Sequence, residues 1–425
     1  MKIDEISTFI TSGLLDGAFE ELYLDKSAIE LQRQRYLDAL DKFEKLYGAK
    51  EVEVYSSPGR TEIGGNHTDH QGGKVLAASI NLDAIAVVAK IEEPIVKIKS
   101  EGYPYLEINL NSLLPVADEE GRTEALVRGV ANGFVDRGFY IGGFEAYITS
   151  DVLGGSGLSS SACYEVLMGN IFSGLYNQRS IDAITIAKIG QEAEIRYFGK
   201  PCGLMDQMAC SVGGMIYIDF ADKEQPDVKK LNVDFSKFHH CLCIVDTKGS
   251  HEDLTDDYAA VPAEMKQVAR YYGKEVLCDV DRDVFYMELA DIVQQIGDRA
   301  VLRSMHWFEE NARVEQEVNA LEKGDFDSFK NVVEASGESS FKLLQNIFST
   351  KNPQEQKVSL ALALSDSILK HAGVSRVHGG GFAGTIQAFV PKEIVKQYKQ
   401  KMEKVFGNDS CYILQIRPDG GRKII

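Results

Sequence analysis

Hydrophobic and polar positions follow two different periods along this chain. In residues 29–47 the apolar side chains recur at helical spacing, and Gly48 follows as a stop signal. These apolar residues include Tyr36, Leu40, Phe43 and Tyr47. Residues 75–91 are instead almost continuously apolar and β-prone, which is typical of a buried strand. The pattern predicts a helical N-terminal extension over residues 1–47, which packs against or docks on the structure that follows.

Strand-like and helix-like stretches alternate irregularly in the rest of the chain. The strand-like runs cover residues 52–55, 95–100, 105–110, 144–149, 241–246, 385–390 and 412–416, and Ser56–Gly59 ends the first of them. Helix-like runs cover residues 125–137, 163–175, 184–198 and several amphipathic segments between 258 and 371. Residues 306–313 lie in such a segment, where Trp307 is expected in the core. The order predicts an α+β fold with two domains after the extension, residues 48–224 and 225–425.

Net charge, cysteine spacing and the length of apolar runs exclude several classes of binding partner and site. The 425 residues carry a net charge of -18 and a pI near 5.0, which disfavours nucleic acid. Seven cysteines occur without a CxxC pair, which indicates reduced, mostly buried thiols and neither a disulfide framework nor a zinc site. No apolar run has membrane-spanning length, and the N-terminus has no signal-peptide pattern. We expect a cytoplasmic monomer or dimer with small-molecule partners and no membrane partner.

Residues 60–73 are polar and glycine-rich, although they lie between two apolar strands. Such a stretch suits a core poorly because its side chains need partners or solvent. Its donors and acceptors suit a polyhydroxylated ligand such as a sugar; they belong to Arg60, Asn66, His67, Asp69 and His70. A metal site is disfavoured because no second cluster of His or Cys has recognisable spacing. A surface turn held by Asn and Asp side chains stays open as an alternative.

Residues 154–162, with the sequence GGSGLSSSA, come between a strand-like run and a helix-like run. Glycines let backbone N–H groups face inward, the helix adds the positive end of its dipole, and serines add hydroxyl donors. The pattern indicates a phosphate cradle without the lysine of a Walker loop. A small-residue helix start used for close packing is the alternative. The candidate contacts are Gly154, Gly155, Ser156, Gly157, Leu158, Ser159, Ser160, Ser161 and Ala162.

Asp206 stands among apolar residues after a turn that contains Pro201 and Gly203. A carboxylate with apolar neighbours is desolvated or paired, which suits a general base or a metal ligand. The alternative is an Asp that caps the following helix.

Together these segments resemble the galactokinases of the GHMP kinase family. The resembling motifs are GRTEIGGNHTDHQGG at 59–73, GGSGLSSSA at 154–162 and RVHGGGFAG at 376–384, and residues 191–207 resemble a galactokinase-specific stretch. They occur in family order, and the similarity spans about residues 50–425. The resemblance implies a two-lobed GHMP kinase fold, an active site in the cleft between the lobes, and ATP and Mg²⁺ as cofactors.

The resemblance also implies individual roles. Asp206 matches the catalytic aspartate that takes the proton from the anomeric hydroxyl, and Arg60 matches the arginine that keeps this aspartate ionised. The positions that match sugar contacts are His67, Asp69, Gly203 and Tyr258. The positions that match magnesium ligands are Glu194 and either Ser160 or Ser161.

Two positions of residues 60–73, which we call the sugar loop, depart from the family pattern. Asn66 stands where most galactokinases have a glutamate that accepts a hydrogen bond from the C6 hydroxyl, and His70 replaces a tyrosine. Asparagine removes a negative charge and adds two donors, which would tolerate a C6 carboxylate. The HTDHQGG string also resembles plant galacturonokinases. The sequence therefore predicts an ATP-dependent galactose 1-kinase, with a galacturonokinase and a non-catalytic sugar- and ATP-binding regulator as alternatives.

Overall fold

The computed structural model describes residues 1–152, 158–222, 224–249, 254–382 and 384–425. Its contacts divide the chain into two compact units that are discontinuous in sequence. Unit 1 contains residues 1–60, 78–214 and 415–425, and unit 2 contains residues 61–77 and 215–414. The domain boundaries at residues 48 and 225 stay a prediction. The units differ from them because the extension and the last residues belong to unit 1, whereas the sugar loop belongs to unit 2.

Unit 1 contains strands β3 to β5 and β12, most of β1 and β2, and, among the described residues, seven α-helices. The strand order is β12-β1-β2-β5-β3-β4, and β3 is parallel to β5 while β3 and β4 form an antiparallel hairpin. The strands are β1 (Glu53–Gly64), β2 (Lys74–Lys90), β3 (Ile95–Ser100), β4 (Tyr105–Asn109), β5 (Phe144–Ser150) and β12 (Arg422–Lys423). The helices are α1 (Ile3–Thr11), α2 (Asp16–Tyr23), α3 (Ile29–Tyr47), α4 (Thr123–Asp136), α5 (Ser160–Asn177), α6 (Ala183–Ala193) and α7 (Met205–Val212).

The N-terminal extension is part of the core of unit 1. The helix predicted over residues 29–47 is confirmed by α3, whose apolar positions are buried. Phe19 and Phe43 pack in one cluster with Val54, Val87 and Tyr147 of the sheet. Apolar burial of this kind stabilises by about 25 cal/mol per Å², so the extension contributes to the stability of this unit.

Strand β1 is longer than predicted, because it continues through Pro58 to Gly64. Its pairing with β12 is confined to Tyr55 and Ser56. Pro58 therefore lies outside that ladder, where the missing backbone N–H of a proline is tolerated. The predicted strand break at 56–59 is wrong, and Arg60 stands on a strand instead of in a loop.

Unit 2 contains a β6–β7 hairpin, a four-stranded antiparallel sheet of order β11-β8-β10-β9, and seven helices. One core lies between this sheet and α13 and α14, and another lies among α8 to α11. The strands are β6 (Met215–Asp219), β7 (Asp227–Lys230), β8 (His240–Asp246), β9 (Val374–His378), β10 (Thr385–Pro391) and β11 (Cys411–Leu414). The helices are α8 (Thr255–Tyr271), α9 (Arg282–Met287), α10 (Leu289–Ile296), α11 (Asp298–Glu322), α12 (Phe326–Ser339), α13 (Lys357–Leu369) and α14 (Val395–Phe406). Within the described ranges, no helix combines the length and hydropathy needed to cross a bilayer.

Candidate active site

The strongest ionic contact among the candidate residues of unit 1 joins Arg60 to Asp206. The guanidinium donates through Nε to Oδ1 at 2.6 Å and through Nη2 to Oδ2 at 2.7 Å, a two-bond geometry that fixes both groups. The Ser159 hydroxyl donates to the same carboxylate. Burial alone would raise the pKa of Asp206, but the Arg60 charge and these hydrogen bonds hold that pKa below its ordinary value. Asp206 is therefore ionised at neutral pH.

Local structure explains how these residues meet. The backbone N–H of Arg60, on β1, donates to Leu158 O at 3.2 Å, which joins this strand to the end of the phosphate loop. Asp206 lies in the first turn of α7, but the N-cap is Leu204 and no side chain caps the helix. The helix-cap alternative for Asp206 is therefore wrong, because its carboxylate is engaged by Arg60.

The last residues of the candidate phosphate loop lead into α5. Ser159 is the N-cap residue and has a left-handed conformation, φ 56°, and the helix begins at Ser160. Ser160 and Ser161 thus lie in the first turn, where unpaired N–H groups and the helix dipole favour anions. Leu158 and Ala162 are buried beside them. The remaining candidates, Gly154, Gly155, Ser156 and Gly157, lie outside the described residues.

Glu194 lies at the point where α6 ends and a π-helical segment, Glu194–Phe198, begins. It is buried, and its Oε1 atom accepts hydrogen bonds from Ser161 Oγ at 2.9 Å and Lys200 Nζ at 2.9 Å. Its Oε2 atom accepts from Gln207 Nε2 at 2.9 Å. Carboxylate and hydroxyl oxygens are the hard ligands that Mg²⁺ prefers, so Glu194 with Ser161 fits the predicted metal role.

A cavity of about 600 Å³ lies beside the first turn of α5. Its wall comes from the β3–β4 hairpin, the start of α4, the end of β5 and the residues Ser160 and Ser161. The Ser100 and Tyr164 hydroxyls are buried in this wall without a hydrogen-bond partner of normal geometry among the described residues. Buried polar atoms of this kind indicate a bound water or ligand. Sequence reasoning missed this cavity because six separated segments line it and none of them has a recognisable sequence motif.

In unit 2, three candidate sugar contacts converge on the glycine turn Gly379–Gly381. Asn66 Nδ2 donates to the first carbonyl of this turn at 2.7 Å, His67 Nε2 to the second at 3.2 Å, and Tyr258 OH to the third at 3.0 Å. A Cβ added to Gly380 would approach Tyr258 Cε1 to 2.7 Å, so the glycine permits this close packing. The turn belongs to the RVHGGGFAG motif, whose Ala383 lies outside the described residues.

The Asn66 amide makes hydrogen bonds only within the protein, as far as the described residues show. It is fully buried. Besides the bond to Gly379, its Nδ2 donates to Glu62 Oε1 at 3.1 Å, and its Oδ1 accepts from Asn346 Nδ2 at 2.9 Å. Both donors and the acceptor are therefore in use. The geometry does not favour direct contact between Asn66 and a sugar.

The other two candidates of this group lie in different surroundings. Asp69 is partly exposed, and its carboxylate accepts the N–H of His70 at 2.9 Å. Gly203 is partly buried in the turn before α7, in unit 1. The roles of Asp69 and Gly203 in sugar binding stay predictions.

Comparisons with known proteins identify two matching family models and full-length relatives. Residues 41–90 match the family model "Galactokinase galactose-binding signature", and residues 125–214 match "GHMP kinases N terminal domain". A galactokinase of Glaesserella parasuis is 28% identical over 392 residues, which cover 90% of this chain and 98% of that protein. A galactokinase of Streptomyces coelicolor is 29% identical over 393 residues, which cover 90% and 97%.

Solved structures show the same fold. Lactococcus lactis galactokinase, solved with galactose, superimposes with a TM-score of 0.75 at 24% identity and covers 90% of this chain and 97% of its own. A mevalonate kinase gives 0.60 at 17% identity, with 85% and 99% covered. The predicted α+β fold is confirmed.

The two family models match residues 41–90 and 125–214 and show that this chain is similar to the GHMP kinases. The full-length relatives are galactokinases, and together with the galactose-binding signature they support a sugar kinase enzyme. GHMP kinases use ATP as phosphate donor, which agrees with the predicted nucleotide.

Proposed function

We propose that this enzyme transfers the γ-phosphoryl group of ATP to the anomeric hydroxyl of galactose and forms galactose 1-phosphate. The observation that carries the proposal is the two-bond ion pair between Arg60 and Asp206, joined by the Ser159 hydroxyl. A sugar kinase needs an ionised carboxylate to receive the hydroxyl proton, and positive charge to balance the transferring group.

In this mechanism Asp206 accepts the proton from the anomeric hydroxyl while Arg60 holds the carboxylate in place. The lowered pKa makes Asp206 a weak base. That strength suits phosphoryl transfer through a loose transition state, because the attacking oxygen needs to lose its proton only late. Arg60 also supplies charge next to the reacting groups. The main contribution is therefore positioning and electrostatics.

The phosphates are proposed to bind at the first turn of α5, where Ser160 and Ser161 offer hydroxyl and backbone donors. Ser161 or Ser160, together with Glu194, would hold Mg²⁺, which neutralises phosphate charge. The nucleotide base is proposed to occupy the adjoining cavity. There the Ser100 and Tyr164 hydroxyls have no hydrogen-bond partner of normal geometry among the described residues. The cavity size is within the usual range for small-molecule sites.

Galactose is proposed in preference to galacturonate because of Asn66. The galacturonate alternative depended on a free amide donor at C6, and the amide hydrogen bonds of Asn66 are already made within unit 2. The proposed sugar contacts are His67, Asp69, Gly203 and Tyr258. The presence of a complete Arg60–Asp206 pair favours a catalyst over a regulator that binds without turnover.

The test measures ADP release with ATP and Mg²⁺ while galactose, galacturonate, glucose, arabinose and N-acetylgalactosamine are offered separately. We expect the highest kcat/KM with galactose. Asp206→Asn should lower kcat by more than about a thousandfold while the dissociation constant for galactose changes little, since the base acts in the chemical step. Preference for galacturonate would overturn the substrate assignment. Undiminished turnover in Asp206→Asn would remove Asp206 from the proposed role.

A further inference from the structure

One face of helix α11 holds the sugar loop by its backbone. His306 Nε2 bonds Asn66 O at 2.9 Å, and Trp307 Nε1 donates to Thr68 O at 3.0 Å. One turn further, Glu310 Oε1 accepts from two adjacent loop N–H groups, and Asn311 Oδ1 accepts from Lys74 N at 2.7 Å. These helix positions share a face because they are four residues apart in pairs. The segment predicted as a plain core helix, with Trp307 in the core, also anchors the loop.

Glu310 is the only ionised side chain of that anchoring set. Its Oε1 atom lies 3.3 Å from both Gly65 N and Asn66 N, and it accepts the Ser336 hydroxyl at 2.6 Å. The other oxygen accepts from Arg313 Nε at 2.6 Å. The side chain is fully buried, and although burial would raise its pKa, the charge of Arg313 lowers the pKa of Glu310 to about 2. A charged acceptor binds backbone N–H groups more strongly than a neutral one.

The loop backbone that Glu310 holds comes immediately before the proposed sugar contacts. Asn66 is followed by His67, whose backbone has the left-handed conformation, φ 59°. A residue that has a side chain is strained in the left-handed region, and it keeps this conformation only where the surrounding structure fixes it. The direction of the His67 side chain, and of Asp69 after it, therefore depends on how firmly residues 65 and 66 are held.

We propose that Glu310 is a positioning residue for sugar binding, which acts by fixing the Gly65–Asn66 backbone without touching the sugar or the nucleotide. This proposal rests on the proposed function, in which His67 and Asp69 contact the sugar. It predicts that loss of the Glu310 charge weakens sugar binding and leaves phosphoryl transfer from bound substrates intact.

The same helix offers a matched control, Glu317. This residue is also fully buried, but neither of its carboxylate oxygens has a hydrogen-bond partner among the described residues. Burial raises the pKa of Glu317 well above its ordinary value, whereas the pKa of Glu310 is lowered. Glu310→Gln and Glu317→Gln are thus the same isosteric change about two turns apart on one helix. Only the first removes a charge that holds the loop.

The experiment compares steady-state kinetics and hydrogen–deuterium exchange of the three proteins. Glu310→Gln should raise KM for the sugar by about tenfold while kcat and KM for ATP change by less than about twofold, because only a positioning hydrogen-bond acceptor is weakened. Exchange in residues 65–74 should accelerate. Glu317→Gln should match the wild type in both assays. An unchanged sugar KM, or equal losses in both variants, would overturn the proposal.

Two further measurements keep the result interpretable. If Glu310→Gln does not fold, Ser336→Ala removes one of the hydrogen bonds that hold the Glu310 carboxylate, and it should raise sugar KM by about threefold without changing KM for ATP. An unchanged sugar KM in Ser336→Ala would then overturn the proposal. If the wild type turns over no sugar, the proposed function fails. Exchange in residues 65–74 still decides whether Glu310 fixes the loop.

Discussion

Replacement of Asn66 by aspartate tests whether this residue is a structural hub of the sugar loop. The change keeps the shape of the side chain but converts a double N–H donor into an anionic oxygen. In the native protein that donor serves Glu62 Oε1 at 3.1 Å and Gly379 O at 2.7 Å. The substitution therefore leaves the Gly379 carbonyl without this donor and places a second carboxylate against Glu62. Arg376 still donates to Glu62 at 2.8 Å, which limits the damage there.

The expected loss of stability follows from two terms. Two unit charges about 3 Å apart repel by about 5 kcal/mol at an effective dielectric constant of 20. Protonation of the new carboxyl at pH 7 avoids this repulsion at a cost of about 4 kcal/mol, because its reference pKa is about 3.9. The unpaired Gly379 carbonyl adds about 1–3 kcal/mol. We therefore expect Asn66→Asp to lower the free energy of unfolding by about 5–7 kcal/mol at pH 7.

Urea unfolding at pH 7 and pH 5 measures this effect. The pKa of the introduced carboxyl is raised in the folded state, so its penalty grows as pH rises above the unfolded pKa and shrinks as pH falls. Between pH 7 and pH 5 the stability difference from wild type should shrink by about 3 kcal/mol. Asn66→Ala removes the same hydrogen bonds without a charge, and its loss should not change with pH. A pH-independent loss in Asn66→Asp, or wild-type stability at pH 7, would refute the reasoning.

Three further predictions concern other parts of the enzyme. Arg60→Gln should raise the pKa of Asp206, because the Arg60 charge no longer opposes the effect of burial. The acid limb of the pH profile of kcat/KM should therefore move to higher pH. An acid limb that does not move would show that Asp206 does not set it. Ser100→Ala and Tyr164→Phe should each raise KM for ATP by about threefold and leave both sugar KM and Tm unchanged, because these hydroxyls have no hydrogen-bond partner of normal geometry among the described residues. An unchanged KM for ATP would exclude nucleotide contact. A thiol reagent should modify only the two partly exposed cysteines before unfolding, and modification of the five buried ones in native protein would contradict the packing. The two partly exposed residues are Cys202 and Cys278.

Local features of the fold were predictable where the pattern was strong. Helix α3 has the bounds that the apolar spacing predicted, and the hairpin of β3 and β4 occurs where its two short runs were found. The seven cysteines are free and five are buried, as expected. Pro58 misled the assignment of β1, because a single sequence does not show that this strand lies between β12 and β2 in the sheet.

The candidate site was predictable only in part. The resemblance implied that Arg60 and Asp206 act together, and the structure places them in direct contact. It could not indicate that the Asn66 amide is satisfied by Gly379, which is 313 positions away in the sequence. Burial and hydrogen bonds to residues distant in sequence decide whether a polar residue contacts a ligand or the protein. A local sequence motif predicts neither of them.

The hydrogen bonds to the turn Gly379–Gly381 constrain how many residues this turn can contain. Its three successive carbonyls accept hydrogen bonds from Asn66, His67 and Tyr258 in turn, so gain or loss of one residue between His378 and Phe382 would shift these three pairings at once. A substitution at Gly380 only crowds Tyr258, whereas a change in length misaligns all three bonds. Loops ordinarily accept insertions. In this turn, by contrast, the number of residues is fixed by the three side chains that donate to its carbonyls.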